Sequence, residues 1–238
     1  MNSQTIGEIV AQDYRTAGVF KRFGIDFCCG GKRPLEETCE EKGIDITLVE
    51  NELATLQAQP TASQANYQDW SADFLADYII NRHHSYVRKM IPEITAFAEK
   101  VGRVHGKRHP ETVEIYYNWK ALASELESHL LKEENILFPY IKKLVNSKDN
   151  IIPPFGTVEN PIRMMESEHE DAGELMRTIR TLSSDFTPPE DACTTYRVLF
   201  SFLAEFEADL HEHIHLENNI LFPKAVELEG QMRESIDN

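Results

Sequence analysis

No apolar run in the chain approaches the length of a membrane-spanning helix, which needs about 20 such residues. The opening Met1-Asn2-Ser3-Gln4-Thr5 lacks the basic and apolar regions of a secretory leader, so the expected location is the cytoplasm. Basic residues are scarce: 24 Lys and Arg stand against 40 Asp and Glu, for a formal charge of -16. That balance argues against nucleic acid or an anionic membrane as the main partner. Cysteine is also rare. Cys28 and Cys29 are adjacent while Cys39 and Cys193 stand alone, which is no disulfide framework. Sustained strand alternation and hairpin chemistry are missing too, which excludes a sheet protein.

What is present is helical periodicity. Residues 1–57 read as a small helical domain cut into short pieces by Gly18, Gly24, Gly30, Gly31 and Gly43. Thr5-Ile6-Gly7-Glu8 has capping-box spacing and should open a helix. The unit is small for an independent domain, so it should lean on a partner surface or a homodimer contact. A polar linker is expected over 58–70. Residues 71–238 then carry four long helical patterns with short connections, which predicts an antiparallel four-helix bundle. Proline at position 92 should kink the first helix, and Pro110 suits the first turn of the second.

The second and fourth helices share a repeat. His129-x-x-x-Glu133-x-x-x-x-Phe138-Pro139 returns as His213-x-x-x-Glu217-x-x-x-x-Phe222-Pro223. A histidine and a carboxylate four apart share one helix face. Two such helices facing each other offer imidazoles and carboxylates to one interior, a donor set for iron, manganese or zinc. The third helix holds one histidine, His169. The first holds the neighbours His83 and His84, of which only one should point inward. His84 is preferred because the spacing from His84 to His129 nearly equals that from His169 to His213, and its apolar neighbours Ile80, Val87 and Ile91 match Met165, Ala172 and Met176. The expected metal ligands are His84, His129, Glu133, His169, His213 and Glu217. Glu125, one turn before His129, and Glu168, next to His169, could orient an imidazole or relay protons. Asp209 holds the position equivalent to Glu125 with a weaker claim. His105, His109, His211 and His215 lack partners at ligand spacing. Phe138 and Phe222 should close the cavity with apolar surface, each followed by a proline that bends the helix.

On these motifs, together with Met165-Glu166-Ser167-Glu168-His169 and Gly24-Ile25-Asp26-Phe27-Cys28-Cys29-Gly30-Gly31, the chain resembles the hemerythrin-like proteins. More closely, it resembles the di-iron proteins that repair iron-sulfur clusters. The resemblance covers essentially the whole chain. It implies two iron ions, with the four histidines as terminal ligands and Glu133 and Glu217 bridging beside an oxo group. It places the family's channel acids on Glu125 and Glu168. Oxygen-carrying hemerythrins add a histidine one turn on, where this chain has Arg88 and Gly173, so simple oxygen carriage is disfavoured.

Cys28 and Cys29 cannot easily bridge each other without distorting the peptide between them. The glycines that follow should open the backbone and expose the sulfurs to a metal or redox partner; the bland alternative is two small residues buried in a tight turn. The function expected from the resemblance is restoration of iron-sulfur clusters damaged by oxidative or nitrosative stress, with damaged iron-sulfur proteins as partners. A di-iron nitric oxide or peroxide reductase, or a gas sensor, is the alternative. Whether turnover is enzymatic stays open.

Overall fold

The computed structural model describes residues 4–58, 66–146 and 153–237. Among them, apart from an isolated bridge between Thr5 and Pro34, all regular structure is helical. Four short helices come first: α1 (Ile6–Gln12), α2 (Thr16–Arg22), α3 (Leu35–Lys42) and α4 (Ile46–Gln57). The capping box is formed, with the Glu8 N–H donating to Thr5 Oγ1 and the Thr5 N–H to the Glu8 carboxylate. It supplies partners to amides that the first helical turn leaves free.

The bundle follows. Its first helix is α5 (Ala72–Ile79) and α6 (Ser85–His105), joined by a π turn at Ile80–His84. The second is α7 (Glu111–Lys132) and α8 (Phe138–Asn146), joined by a π turn at Glu133–Leu137. The third is α9 (Glu159–Leu182). The fourth is α10 (Thr194–Leu216) and α11 (Phe222–Asp237), joined by a π turn at Glu217–Leu221. Helix α5 packs on α8 and α6 on both α7 and α10, so consecutive helices run antiparallel, and α9 lies along α7. The break in the first helix falls at Ile80–His84 rather than at Pro92, which is carried inside α6. Of the expected linker, residues 59–65 lie outside the described residues. Residues 67–69 form a 3-10 turn, and Tyr67 and Trp70 pack on Tyr78, which fastens this stretch to the first helix.

Two apolar clusters fill the interior. One is built from Val87, Ile94, Trp119, Leu126, Met176, Phe206 and their neighbours; the other from Leu75, Ile79, Phe138, Ile141, Met165 and Phe222. Along every bundle helix the expected ligand positions fall where one cluster gives way to the other. Burial of this apolar surface, at about 25 cal/mol per Å², drives the assembly and holds the polar layer between the clusters in place.

The first cluster also contains Phe20, Ile25, Phe27 and Cys28, so the N-terminal unit leans on the bundle of its own chain. Gly7 and Gly31 make that approach possible. A Cβ on Gly7 would lie 2.2 Å from Asn219 Oδ1, and one on Gly31 would lie 2.5 Å from the Phe27 carbonyl oxygen.

Candidate metal centre

The π turns explain how the expected ligand side chains are aimed. In the second and fourth helices the Phe138 and Phe222 N–H groups reach back five residues, to the carbonyls of Glu133 and Glu217. Each phenylalanine precedes a proline, whose ring would clash with the carbonyl four residues back in a regular α turn. Widening the turn relieves that clash and inserts one extra residue at the glutamate. The proline step therefore does more than bend the helix. In the first helix, which lacks this step, the Ser85 hydroxyl donates to the Ile80 carbonyl across the wide turn.

The six expected ligands converge. His84, His213, Glu133 and Glu217 form one group of donors, and His129, His169, Glu133 and Glu217 form another; within each group the donor atoms all lie within 4.8 Å of one another. Both carboxylates belong to both groups. His84 Nε2 and His129 Nε2 each lie 3.3 Å from Glu133 Oε2. His213 Nε2 is 2.9 Å from Glu217 Oε1, and His169 Nε2 is 3.1 Å from Glu217 Oε2. Phe138 stacks on His84 and Phe222 on His169, in matching positions of the repeat.

This layer is buried, and several of its polar atoms have no hydrogen-bond partner: both oxygens of Glu133, Oε2 of Glu217 and Nε2 of His84. Buried carboxylate oxygens without donors are costly. The Nε2 atoms of His129 and His169 also face each other at 3.1 Å. Both features fit side chains that could hold cations in this layer.

The electrostatics agree. Burial works against charging His84 and His129, but the glutamates outweigh it and raise them to about 9 and about 10. Burial lowers His213. Burial and mutual repulsion push Glu133 up, yet His129 and His84 bring it below the ordinary range; Glu217 is held well below it by His213, His169 and His84 against its burial. Two anionic groups in a buried layer draw positive charge, which bound cations would supply.

Around the donors lies a ring of outer partners. His84 Nδ1 pairs with Glu134 Oε1 at 2.7 Å, and Glu134 pairs with Arg88 at 2.8 Å. His129 Nδ1 pairs with Glu168 Oε2 at 2.9 Å, and Glu168 pairs with Lys132. His169 Nδ1 meets Asn218 Oδ1 at 2.8 Å. Such partners fix the ring and the nitrogen presented to a metal. Glu134 and Asn218, each directly after a shared glutamate, were missed at the sequence level. Their equivalent positions in the repeat were the available signal.

Glu168 reaches the His129 imidazole, whereas Glu125 faces solvent. Glu125 is exposed, and its carboxyl is raised by partial burial and by the nearby Asp171 and Glu168. The acid on the equivalent position, Asp209, is the buried one, with Oδ1 3.2 Å from His83 Nδ1. The expectation that only one of His83 and His84 points inward also fails. Both are fully buried, because the wide turn carries His83 into the interior as well, where its ring stacks on His213 at 5.5 Å. His84 is the one among the shared carboxylates.

Cys28 is buried and Cys29 half-buried, contrary to the expectation of exposed sulfurs. The Asp26 carboxylate accepts from both backbone N–H groups and ties the turn inward. The thiols are free, 3.9 Å apart, and Cys29 Sγ lies 3.3 Å from the His169 carbonyl oxygen. Hydrogen bonding to Cys29 and burial raise the Cys28 thiol well above its ordinary value. Asp26, Cys28 and Cys29 form a third group of donors. His211 and His215 pack against Phe27 and help seat the unit.

Residues 2–57 match the ScdA_N family, a domain of unknown function, and residues 75–225 match the hemerythrin HHE cation binding domain. Curated relatives extend over nearly the full length. The iron-sulfur cluster repair protein YtfE of Musicola paradisiaca is 37% identical over 94% of this chain and 96% of its own. The proteins of the same name from Enterobacter sp. (strain 638) and Escherichia coli O81 are 40% and 39% identical, again over 94% of this chain and 96% of theirs. With both domains matched in order and relatives aligned almost end to end, the chain belongs to the YtfE family of iron-sulfur cluster repair proteins.

Proposed function

We propose that this protein restores iron-sulfur clusters damaged by oxidative or nitrosative stress, and that it does so by giving up iron held in its bundle. The observation that carries this reading is the pair of donor groups sharing Glu133 and Glu217, with carboxylate oxygens left unpartnered in a buried layer. His84 and His213 would hold one iron, His129 and His169 the other, and the two glutamates would bridge them. When bound, such a pair supplies a redox-active centre whose metal can also be released. An oxo group completing the bridge belongs to the same proposal and is read from oxo-to-iron absorption.

The chain's own residues set the terms of binding. Glu134 and Glu168 orient His84 and His129 so that Nε2 faces inward. Phe138 and Phe222 keep water away from the imidazoles on which they stack. Glu168 and Lys132 are partly exposed, so the path from His129 to solvent is short and polar. The clients would be damaged iron-sulfur proteins in the cytoplasm. No helix among the described residues is long and apolar enough to cross a membrane.

The test is a repair assay. A dehydratase whose cluster has been damaged by nitric oxide is incubated with the iron-loaded protein, with and without a chelator that captures free iron. Recovery that tracks iron lost from the bundle supports donation. Recovery without iron loss, accompanied by consumption of nitric oxide, would replace donation by a reductase reaction.

A further inference from the structure

Outside the polar layer of the bundle, one further set of donors stands together. Asp26, Cys28 and Cys29 offer a carboxylate oxygen and two sulfurs, all within 4.8 Å of one another. Both thiols are free, their sulfurs are 3.9 Å apart, and Cys28 Sγ is 3.2 Å from Asp26 Oδ1. A tetrahedral cation bonded at about 2.3 Å to sulfur and about 2.1 Å to oxygen holds two sulfurs about 3.8 Å apart, and a sulfur and an oxygen about 3.6 Å apart. Both spacings in the structure fall within a few tenths of an ångström of those edges. The turn is braced in this shape. Asp26 Oδ1 accepts from the Cys28 and Cys29 N–H groups, and Asn219 Nδ2 donates to the Phe27 carbonyl at 3.2 Å. Asp26 and Cys28 also line a cleft of about 310 Å³, completed by Lys21, Arg177, Arg180 and His211, so the donors border an opening rather than closed core. Of the cations there, Arg180 and Lys21 pair with Glu207, and Arg177 meets Asp26 through the other oxygen, Oδ2, at 3.6 Å.

We propose that Asp26, Cys28 and Cys29 form a third metal site, one for a thiophilic divalent cation, with ferrous iron as its occupant in the cell. The cation binds both sulfurs and Asp26 Oδ1, the two thiol protons pass to solvent, and no oxidation state changes. Three protein donors leave a coordination position open, which suits a site that passes its metal on better than one that only stiffens the fold. Its location fits that use. Cys29 Sγ lies 3.3 Å from the His169 carbonyl oxygen, so the thiols sit against the backbone of the bundle's own donor layer. The choice of ferrous iron rests on the proposed donation from the bundle, for which these thiols would be a stop on the way to a client; the three-donor site itself does not rest on it.

The experiment adds cobalt(II), a coloured stand-in for ferrous iron, to the reduced full-length protein after the bundle has been loaded with iron. Cobalt should bind with sulfur-to-cobalt charge-transfer absorption while the iron stays in place. About two protons should be released per cobalt that gives this absorption, a count that needs no variant to fold. Cys28→Ser and Cys29→Ser should each lose this cobalt, whereas Cys193→Ser should keep it. Asp26→Asn retains an oxygen for the amides of the turn but loses the charge. It should weaken binding at least about tenfold, the lower end for groups that merely back a metal ligand. Absorption that is missing from the unmodified protein, that survives loss of both Cys28 and Cys29, or that forms without proton release would overturn the proposal. So would Asp26→Asn binding cobalt as tightly as the unmodified protein. A bundle that takes up no iron, beside thiols that still bind cobalt, would instead sink the iron reading and leave this site standing.

Discussion

The two halves of the bundle carry the same donors in different surroundings. Each contributes one His-x-x-x-Glu pair, one further histidine and a phenylalanine stacked on it. Around the first half lie solvent, Arg88 and Lys132. Against the second lies the N-terminal unit, held by Asn218, Asn219, His211, His215 and Glu207. Positions that touch metal in the proposed site have stayed alike, while their neighbours have specialised. The lesson is that a duplicated site keeps its donors and acquires direction through the residues behind them.

The sharpest test of the equivalence is removal of a shared carboxylate. Glu133→Ala and Glu217→Ala should each abolish binding of both irons, measured as metal per chain after loading. One variant that retains a full pair would show that the bridge is not shared. Next in size is the contrast within the first helix. His84→Ala should lose at least one iron, whereas His83→Ala should keep both, since His83 lies outside the two donor groups. Loss of iron from His83→Ala alone would exchange their roles.

A third test strikes the close approach between the N-terminal unit and the second half. Gly31→Ala would place a methyl 2.5 Å from the Phe27 carbonyl and 2.8 Å from Asn219 Oδ1. It should destabilise the protein by about 1–3 kcal/mol in thermal or denaturant unfolding. An unchanged midpoint would show that the unit is not seated as described.

The smallest effect concerns Glu207, whose counterpart in the first half is Ala123. Burial pushes this carboxyl up, but Arg180, His211 and Lys21 hold it below its ordinary value. Its contribution to stability is therefore complete above the ordinary carboxylate range and disappears as pH falls through the lowered value. Glu207→Gln should flatten the acid limb of the stability profile and leave its slope near neutrality unchanged. Equal acid slopes in the two proteins would show that Arg180, His211 and Lys21 do not hold Glu207 in its charged form.

The bundle and the convergence of the six histidines and glutamates were legible in the chain because they depend on local spacing. A four-residue step puts His129 over Glu133 whatever the tertiary setting, and the repeat arbitrated between His83 and His84. Features that depend on backbone irregularity were not legible. Proline after Phe138 signals a disturbed turn, but not that the disturbance is a π turn at Glu133 itself. The burial of His83 follows from the same irregularity. Glu125 was favoured over Asp209 although the two are equivalent by spacing, and only packing shows that one faces solvent and the other His83. The seat of the Cys28-Cys29 turn was equally hidden, since Asn219 and the Phe27 carbonyl it meets come from opposite ends of the chain.

The polar layer lies where two apolar clusters meet, and this gives the molecule a seam. Emptied of metal, the seam holds two buried carboxylates and several imidazoles that neither oily block can solvate. A bound cation would then act as a clasp, and each iron given up in the proposed donation would loosen the join between the block bearing Phe20 and Phe27 and the block bearing α5, α8 and α11. A donor built this way would carry a record of its own depletion, written as amide exchange that quickens along the three π turns while the outer ends of the bundle stay protected.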